Sequence, residues 1–325
     1  MNVDELSSRL FFLVGCGRSG TTLLKSILGA HPSVYLPPET FFFSTIRRRF
    51  HGGDGGLDRK LRYICSRWWM REAGLRPDTI RAHLAGNDDP DWHELFLAVL
   101  SSLVPEGRFA AVGEKTPAHV VDSPHLLATY PDCRVIQIVR DPRAVLSSYR
   151  SVKVGPNEAA GVAPVWEAAM AAHWTLVGHP RYLMIRYEAL VTDPEAVLRR
   201  VCQHLRLNFN ARMLAFHERE APGYPPEQEH HAATRRPLFL SSLEAWREKL
   251  PRRQLLILES LLAIQMERIG YQVSVGMPAL RLWDCQVSSL RDQLHRGTIR
   301  RARQLLKQRR ALRRILSEQN GGREA

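Results

Sequence analysis

The chain has 325 residues, 44% of them hydrophobic and 24% charged, a composition that predicts a globular protein with a substantial core. Its formal charge of +13 indicates an anionic ligand, membrane or polyanion as partner, and residues 281–325 supply most of the excess, with 12 basic and 4 acidic side chains. The five scattered cysteines argue against a disulfide framework or a zinc knuckle, and without an export signal or a transmembrane segment we expect a cytoplasmic protein.

The predicted elements begin with a buried strand at 10–14, a glycine-rich turn from Gly15 and a helix, since leucines recur at helical spacing after the turn. A short strand at 34–36 and a rigid Pro-Pro segment that presents Glu39 follow. Residues 41–109 are predicted to form a mostly helical insertion, which would suit a lid or a layer that binds an acceptor.

Three further apolar runs predict strands at 110–113, 134–139 and 182–185, separated by helical patterns. Strands that alternate with helices indicate an α/β fold, here a P-loop-like parallel sheet with helices on both faces. We expect one domain over residues 1–275, followed by a basic helical C-terminal extension over 276–325.

The turn after the first strand has the features of an anion site, because backbone N–H groups converge where a glycine-rich turn meets a helix N-terminus. Gly15 and Gly20 have the separation of the G-x-x-x-x-G-K-[ST] loop of nucleoside triphosphate-binding proteins. Thr21 stands in place of the lysine, and the positive charge has moved into the loop as Arg18. A tight turn without a ligand is the alternative interpretation.

Ligands of parallel sheets bind at the carboxyl ends of the strands. Gly15, Gly113, Arg140 and Arg186 all lie at or just past the ends of predicted strands, so we expect them to converge on one cleft.

Six short motifs occur in order along the chain. They are Gly15-Cys-Gly-Arg-Ser-Gly-Thr-Thr-Leu-Leu24, Ala30-His-Pro-Ser-Val34, Pro38-Glu-Thr40, Glu114-Lys-Thr-Pro117, Val139-Arg-Asp-Pro-Arg-Ala144 with Ser147-Ser148, and Arg186-Tyr-Glu-Ala-Leu190. In this order they resemble the sulfotransferases that use 3′-phosphoadenosine 5′-phosphosulfate (PAPS), with the best match to the tyrosylprotein sulfotransferase branch and its bacterial relatives. The resemblance covers about residues 8–270 and leaves the basic tail unmatched.

The resemblance implies that PAPS is the donor substrate and suggests which residues bind it. The glycine-rich loop would hold the 5′-phosphosulfate, Arg140 and Ser148 the 3′-phosphate, while Tyr187 would lie near the nucleotide and Arg236 aligns roughly with a donor-binding lysine. The residues implied in donor binding are Gly17, Arg18, Ser19, Gly20, Thr21, Thr22, Arg140, Ser148, Tyr187 and Arg236. An ion pair with Asp141 is the alternative for Arg140, and simple packing is the alternative for Tyr187.

For catalysis the resemblance gives Glu39 the position of the general base, and a carboxylate is able to take the proton of an acceptor hydroxyl. Lys115 and Arg18 are the candidates that would stabilise the transferring sulfuryl group and the leaving oxygen. A cap of the segment from Thr40 is the alternative for Glu39, and pairing with Glu114 is the alternative for Lys115. We expect no metal.

The sequence leaves the acceptor open among a peptide tyrosine, a carbohydrate, a lipid and a small metabolite. A nucleotide-dependent kinase of related fold is the alternative enzyme, which the missing loop lysine disfavours. A protein that binds polyanions or an anionic membrane through residues 281–325 is the alternative of a different class, and peripheral membrane contact through this tail is a further expectation.

Overall fold

The structure is a computed structural model that describes residues 1–50, 55–152, 155–218, 238, 240 and 243–274. Its chain divides into two compact units. The first unit contains residues 1–140 and 168–243, and the second contains residues 141–167 together with the part of the chain from residue 244 onward.

The first unit is built on a sheet of five parallel strands in the order β2-β3-β1-β4-β5. The strands are β1 Leu10–Gly15, β2 Val34–Tyr35, β3 Ala111–Glu114, β4 Arg134–Val139 and β5 Tyr182–Arg186. Strand β1 lies in the middle, with Leu10 opposite Val112 of β3 and Gly15 opposite Ile138 of β4. A parallel sheet needs a crossover connection between successive strands, and here these connections contain helices.

The α-helices, in chain order, are α1 Val3–Arg9, α2 Thr21–Gly29, α3 Leu57–Ser66, α4 Trp68–Glu72, α5 Pro77–Ala82, α6 Trp92–Leu103, α7 Ser123–Thr129, α8 Pro142–Ser151, α9 Ala159–Leu176, α10 Tyr187–Thr192, α11 Pro194–His204, α12 Trp246–Lys249 and α13 Arg252–Arg268. A π-helix covers Phe42–Arg47, and short 3₁₀ helices cover Pro117–Asp122, Ala211–Met213 and Phe216–Glu218.

One face of the sheet packs against helices α2 and α11. Phe11 and Leu13 of β1 share a buried cluster with Leu24 and Ile27 of α2 and with Leu198 of α11. These two strand residues lie on the same face because side chains alternate along a strand with a period of two. The apolar spacing that predicts helix α2 is therefore the spacing that fills this face.

The opposite face of β1 is covered by the helical insertion. Phe12 stacks on Phe96 of α6 with ring centroids 5.7 Å apart and lies 6.5 Å from the ring of Phe43 in the π-helix. Helix α6 begins where the Asp91 side chain accepts hydrogen bonds from the first turn, and Glu94 returns a contact to the Asp91 backbone N–H. The predicted parallel sheet with helices on both faces and a helical insertion is confirmed.

The second unit is stabilised by a buried arginine. Arg143 of α8 pairs with Asp141 and with Glu259 of α13, at 2.7 and 2.6 Å, and its guanidinium lies 4.1 Å from the ring centroid of Trp246 in α12. Because both carboxylates are buried with the arginine, removal of one partner would leave an uncompensated charge. This cluster therefore holds together the helices of the second unit.

No helix in the described part of the chain combines the length and the apolar character needed to cross a bilayer. The predicted basic extension over 276–325 lies outside the described residues. The predicted boundary at 275 and the membrane or polyanion contact therefore stay predictions.

Candidate active site

The loop between β1 and α2 depends on glycine at two positions. Gly15 ends the strand with φ +154°, and Gly20 precedes the helix with φ +102°. A Cβ atom on Gly20 would lie 2.5 Å from the ring of Tyr187, so both the backbone conformation and the neighbouring ring require glycine. Gly20 offers no side-chain cap to α2, which leaves the backbone N–H groups of the first turn to be satisfied in another way.

Two arginines and an aromatic ring lie around this loop. Arg18 has a left-handed backbone with φ 69°, and its carbonyl oxygen accepts a hydrogen bond of 3.4 Å from Nη1 of Arg140. The guanidinium of Arg140 lies 4.0 Å from the centroid of the buried Tyr187 ring, which in turn packs against Gly20. The structure therefore connects the end of β4 and the start of α10 to the glycine-rich loop.

Cys16 lies within the loop without offering a reactive thiolate. Burial raises the pKa of its thiol to about 12, an effect that a hydrogen bond with Ser19 opposes only in part. A thiol with such a pKa stays protonated at neutral pH. The chemistry of the loop therefore depends on backbone groups, hydroxyls and arginine.

Lys115 connects the start of α2 to the segment after β2. Strand β3 lies between β2 and β1 in the sheet, so a residue just beyond its carboxyl end lies between the segments that follow those two strands. The side chain of Lys115 is fully buried, and its Nζ forms an ion pair with Oε1 of Glu39 and lies 3.4 Å from Oγ1 of Thr22. The side chain of Glu39 is 22% exposed.

Glu114, the residue before Lys115, is the centre of a buried hydrogen-bond network. Its Oε1 accepts hydrogen bonds from Oγ1 of Thr116 at 2.6 Å and Oγ1 of Thr40 at 2.8 Å, and its Oε2 contacts Nδ1 of His119 at 2.9 Å. Burial by itself would raise the pKa of Glu114, but His119 and the hydroxyl hydrogen bonds lower it to about 2. The carboxylate is therefore ionised at neutral pH.

Lys25 is a buried lysine that the sequence reasoning missed. It lies on α2 among leucines, and its Nζ donates a hydrogen bond of 2.6 Å to the carbonyl oxygen of Pro37. Burial and, after it, the positive charge of Lys115 lower the pKa of Lys25 to about 7, although Glu39 and Glu114 oppose the shift. The available signal is a lone lysine in a helix whose other residues are apolar or small and uncharged.

The first unit holds most of the predicted site residues. Those with contacts around the loop or the segment after β2 are Arg18, Gly20, Thr22, Glu39, Lys115, Arg140 and Tyr187. The alternative role of Glu39 is a cap, and the π-helix Phe42–Arg47 that follows it has no side-chain cap. The alternative partner of Lys115 is Glu114, and Glu114 bonds to His119. Ser19 and Thr21 are buried in the loop and the first turn of α2.

The roles of Ser148 and Arg236 in donor binding stay predictions, as do those of the residues around the loop. Ser148 is half-buried on α8 in the second unit, so its shared role with Arg140 remains a prediction. Arg236 lies outside the described residues. Among the described residues, no group of three or more histidine, cysteine, aspartate and glutamate side chains is arranged to hold a metal ion.

The arrangement suits a reaction that handles negative charge beside a proton acceptor. A helix N-terminus and a glycine-rich loop bind anionic groups, and Arg18, Arg140 and Lys115 add positive charge nearby. Glu39 is partly exposed and is able to accept a proton from a bound hydroxyl.

Comparison with known proteins agrees with this chemistry. The model of the sulfotransferase family matches residues 11–211, which is more than half of the chain. Protein-tyrosine sulfotransferase A of Caenorhabditis elegans is 23% identical over 305 residues, a match that covers 90% of this chain and 74% of that protein. Protein-tyrosine sulfotransferase 1 of Danio rerio is 25% identical, with 83% of this chain and 74% of that protein covered.

Solved structures show the same fold. The sulfotransferase domain of the olefin synthase from Synechococcus PCC 7002 is 23% identical, with a TM-score of 0.56, and the match covers 81% of this chain and 94% of that domain. The sulfotransferase domain of the curacin biosynthetic pathway is 18% identical, with a TM-score of 0.57 and coverage of 81% and 98%. The resemblance predicted from the motifs is confirmed: the chain belongs to the sulfotransferase family, whose members are enzymes of sulfuryl transfer.

Proposed function

We propose that this enzyme transfers the sulfuryl group of PAPS to an acceptor hydroxyl, with Glu39 as the general base. The observation that carries the proposal is the contact of one buried lysine, Lys115, with both Thr22 at the start of α2 and Glu39 after β2. A donor bound at α2 would therefore lie beside the residue that accepts the proton.

The donor's 5′-phosphosulfate is assigned to the loop from Gly17 to Thr22. The first turn of α2 supplies N–H groups for the dianion, and a side chain at position 20 would occupy space next to Tyr187. Arg140 is assigned the 3′-phosphate, because a guanidinium binds phosphate oxygens in a bidentate manner. The family resemblance assigns Ser148 to the same phosphate.

The reaction forms one bond and breaks another at sulfur. The acceptor oxygen attacks the sulfur, the bond between sulfur and the oxygen of the 5′-phosphate breaks, and the acceptor proton passes to Glu39. The products are the sulfated acceptor and adenosine 3′,5′-bisphosphate. Lys115 and Arg18 offset the negative charge that develops on the leaving oxygen, in the way that cations stabilise phosphoryl transfer.

Lys115 pairs with Glu39, and its ammonium group lies 3.4 Å from Oγ1 of Thr22. The donor's charge at Thr22 would compete for Lys115 and draw its ammonium group toward the leaving oxygen. Glu39 would then be released from its ion pair and could face the acceptor hydroxyl. The same lysine thereby couples donor binding to the activation of the acceptor.

A tyrosine hydroxyl of a peptide is the first acceptor to test, since the curated relatives include protein-tyrosine sulfotransferases. Carbohydrate, lipid and small-molecule hydroxyls complete the panel. Purified enzyme and PAPS labelled with ³⁵S are incubated with each acceptor class, and transfer of label is measured. Label on at least one class supports the proposal, and a complete panel without transfer would contradict it.

Nucleotide binding separates this proposal from the kinase alternative. Calorimetry with adenosine 3′,5′-bisphosphate and with ATP measures the preference. We expect the bisphosphate to bind more tightly than ATP by at least about tenfold, because the loop lacks the lysine that contacts the β- and γ-phosphates of a triphosphate. Tighter binding of ATP would contradict the donor assignment.

A further inference from the structure

The carboxylate of Glu114 has a role that the family resemblance does not assign. It is fully buried at the end of β3 and, in addition to the hydroxyls of Thr40 and Thr116, accepts a hydrogen bond of 3.2 Å from the backbone N–H of Thr40. Thr40 directly follows Glu39. One buried carboxylate therefore holds the residue next to the proposed base at two atoms.

Thr116 and His119, which both bond to Glu114, also contact the backbone of the residues that follow Thr40. Thr116, which donates its hydroxyl proton to Glu114, accepts a hydrogen bond of 3.1 Å from the backbone N–H of Phe41. His119 accepts one of 3.2 Å at Nε2 from the N–H of Phe43. Because Nε2 is the acceptor, the proton of the neutral ring lies on Nδ1, where it is donated to Glu114.

Residues 40–43, which these contacts hold, have a backbone conformation that their own side chains do not favour. Phe41 has φ 51°, in the left-handed region that a bulky residue rarely adopts, and a π-helix follows directly. Such a backbone persists when the surrounding structure fixes it. The hydrogen bonds that the backbone N–H groups of this segment donate to Glu114, Thr116 and His119 supply that constraint.

The carboxylate also lies next to the second member of the ion pair, because Glu114 directly precedes Lys115 in the chain. We propose that Glu114 is a positioning residue of sulfuryl transfer, whose buried carboxylate fixes the backbone after Glu39 and thereby holds Glu39 at Lys115. This inference rests on the proposed role of Glu39 as the base. Glu114 itself exchanges no proton with substrate in this account.

The substitution Glu114→Gln tests the inference, since it keeps the shape of the side chain and removes its charge. We expect kcat to fall by about 30-fold or more, since small displacements of a catalytic group cost about this much. The dissociation constant for adenosine 3′,5′-bisphosphate should stay within about twofold, because the loop and Arg140 do not contact Glu114 in the described network. Retention of the wild-type kcat would overturn the inference.

A double mutant distinguishes positioning from general destabilisation. If Glu114 acts through Glu39, Glu114→Gln should slow Glu39→Gln by no more than about twofold, because residues that act as a unit are not additive. A double mutant whose fold-loss in kcat equals the product of the two single losses would contradict the inference. The matched control is Glu158→Gln, which alters another buried carboxylate, bonded to Gln254 and Arg150 in the second unit, and should leave kcat unchanged well below its unfolding temperature.

A hydroxyl swap keeps the test valid if Glu114→Gln fails to fold. Thr116→Val removes the oxygen that joins Glu114 to the Phe41 N–H, and Thr116→Ser restores it. We expect Thr116→Val to lower kcat by about tenfold, because a buried hydrogen bond is lost. Thr116→Ser restores the hydroxyl and should recover most of the lost kcat. Equal rates for the two variants would overturn the inference. Wild-type turnover by Glu39→Gln would instead contradict the proposed function.

Discussion

Lys115 and Glu39 form an ion pair in which the lysine side chain is fully buried and the glutamate is 22% exposed. The pair lies between the end of β3 and the segment after β2, and the lysine also reaches Thr22 on the other side. The sheet order explains this position, because β3 separates β2 from β1. The proposed base and the start of α2 are therefore connected through a single side chain.

Replacement of Lys115 by methionine should abolish most of the transfer activity. The variant keeps an unbranched side chain but removes the charge that the account places at the leaving oxygen, so we expect kcat to fall by about 100-fold or more. Single-turnover assays with labelled PAPS measure the loss. The dissociation constant for adenosine 3′,5′-bisphosphate, a product without the sulfuryl group, should change much less than kcat, and an unchanged kcat would contradict the role.

Gly20→Ala should weaken donor binding. The added Cβ would lie 2.5 Å from Tyr187, and the backbone has φ +102°, which together cost about 1–3 kcal/mol of strain. We expect at least about tenfold weaker binding of adenosine 3′,5′-bisphosphate, measured by calorimetry. Gly29→Ala is the control at the end of the same helix, where a Cβ would meet nothing within 4 Å, and it should bind normally.

Lys25 should give stability a distinctive pH dependence. Its pKa falls from 10.5 in an unfolded chain to about 7 when it is buried, so unfolding takes up a proton between these two values. The free energy of unfolding of the native protein, relative to Lys25→Met, should therefore rise from pH 7 toward pH 10. Urea unfolding of both proteins across this range checks the sign, and a difference that falls with pH would contradict a Lys25 pKa lowered by burial.

Arg140→Ala should remove selectivity for the 3′-phosphate. In the native protein we expect adenosine 3′,5′-bisphosphate to bind at least about tenfold more tightly than adenosine 5′-phosphate, because a charged hydrogen bond contributes about 1.5–3 kcal/mol. The variant should bind both nucleotides with similar affinity. Arg199→Ala, which removes an exposed arginine that pairs with Glu195 on α11, should keep the difference.

Much of the sheet was predictable from the sequence. The strand predicted at 134–139 coincides with β4 Arg134–Val139, because a short run dominated by valine and isoleucine strongly favours a buried strand. Within the predicted helical insertion, α3 and α4 are separate helices, since Arg67 between them has an extended backbone. Local periodicity does not encode such a break.

The π-helix Phe42–Arg47 could not be predicted from its own residues. Its start depends on hydrogen bonds that backbone N–H groups donate to Thr116 and His119, which are more than 70 positions away in the chain. The same limit applies to the candidate site. Motifs identified Glu39 and Lys115 separately, but their ion pair and the burial of Lys25 depend on the order of strands in the sheet.

The most direct test of the account is the single-turnover rate of Glu39→Gln with saturating labelled PAPS and the best acceptor from the panel. The variant keeps the size of the side chain and removes its ability to accept a proton. Glu106→Gln, which alters an exposed carboxylate before β3, is the matched control and should react at the native rate. We expect Glu39→Gln to bind adenosine 3′,5′-bisphosphate within about threefold of the native protein, while transfer slows by about 100-fold or more. Transfer by Glu39→Gln at the native rate would contradict it.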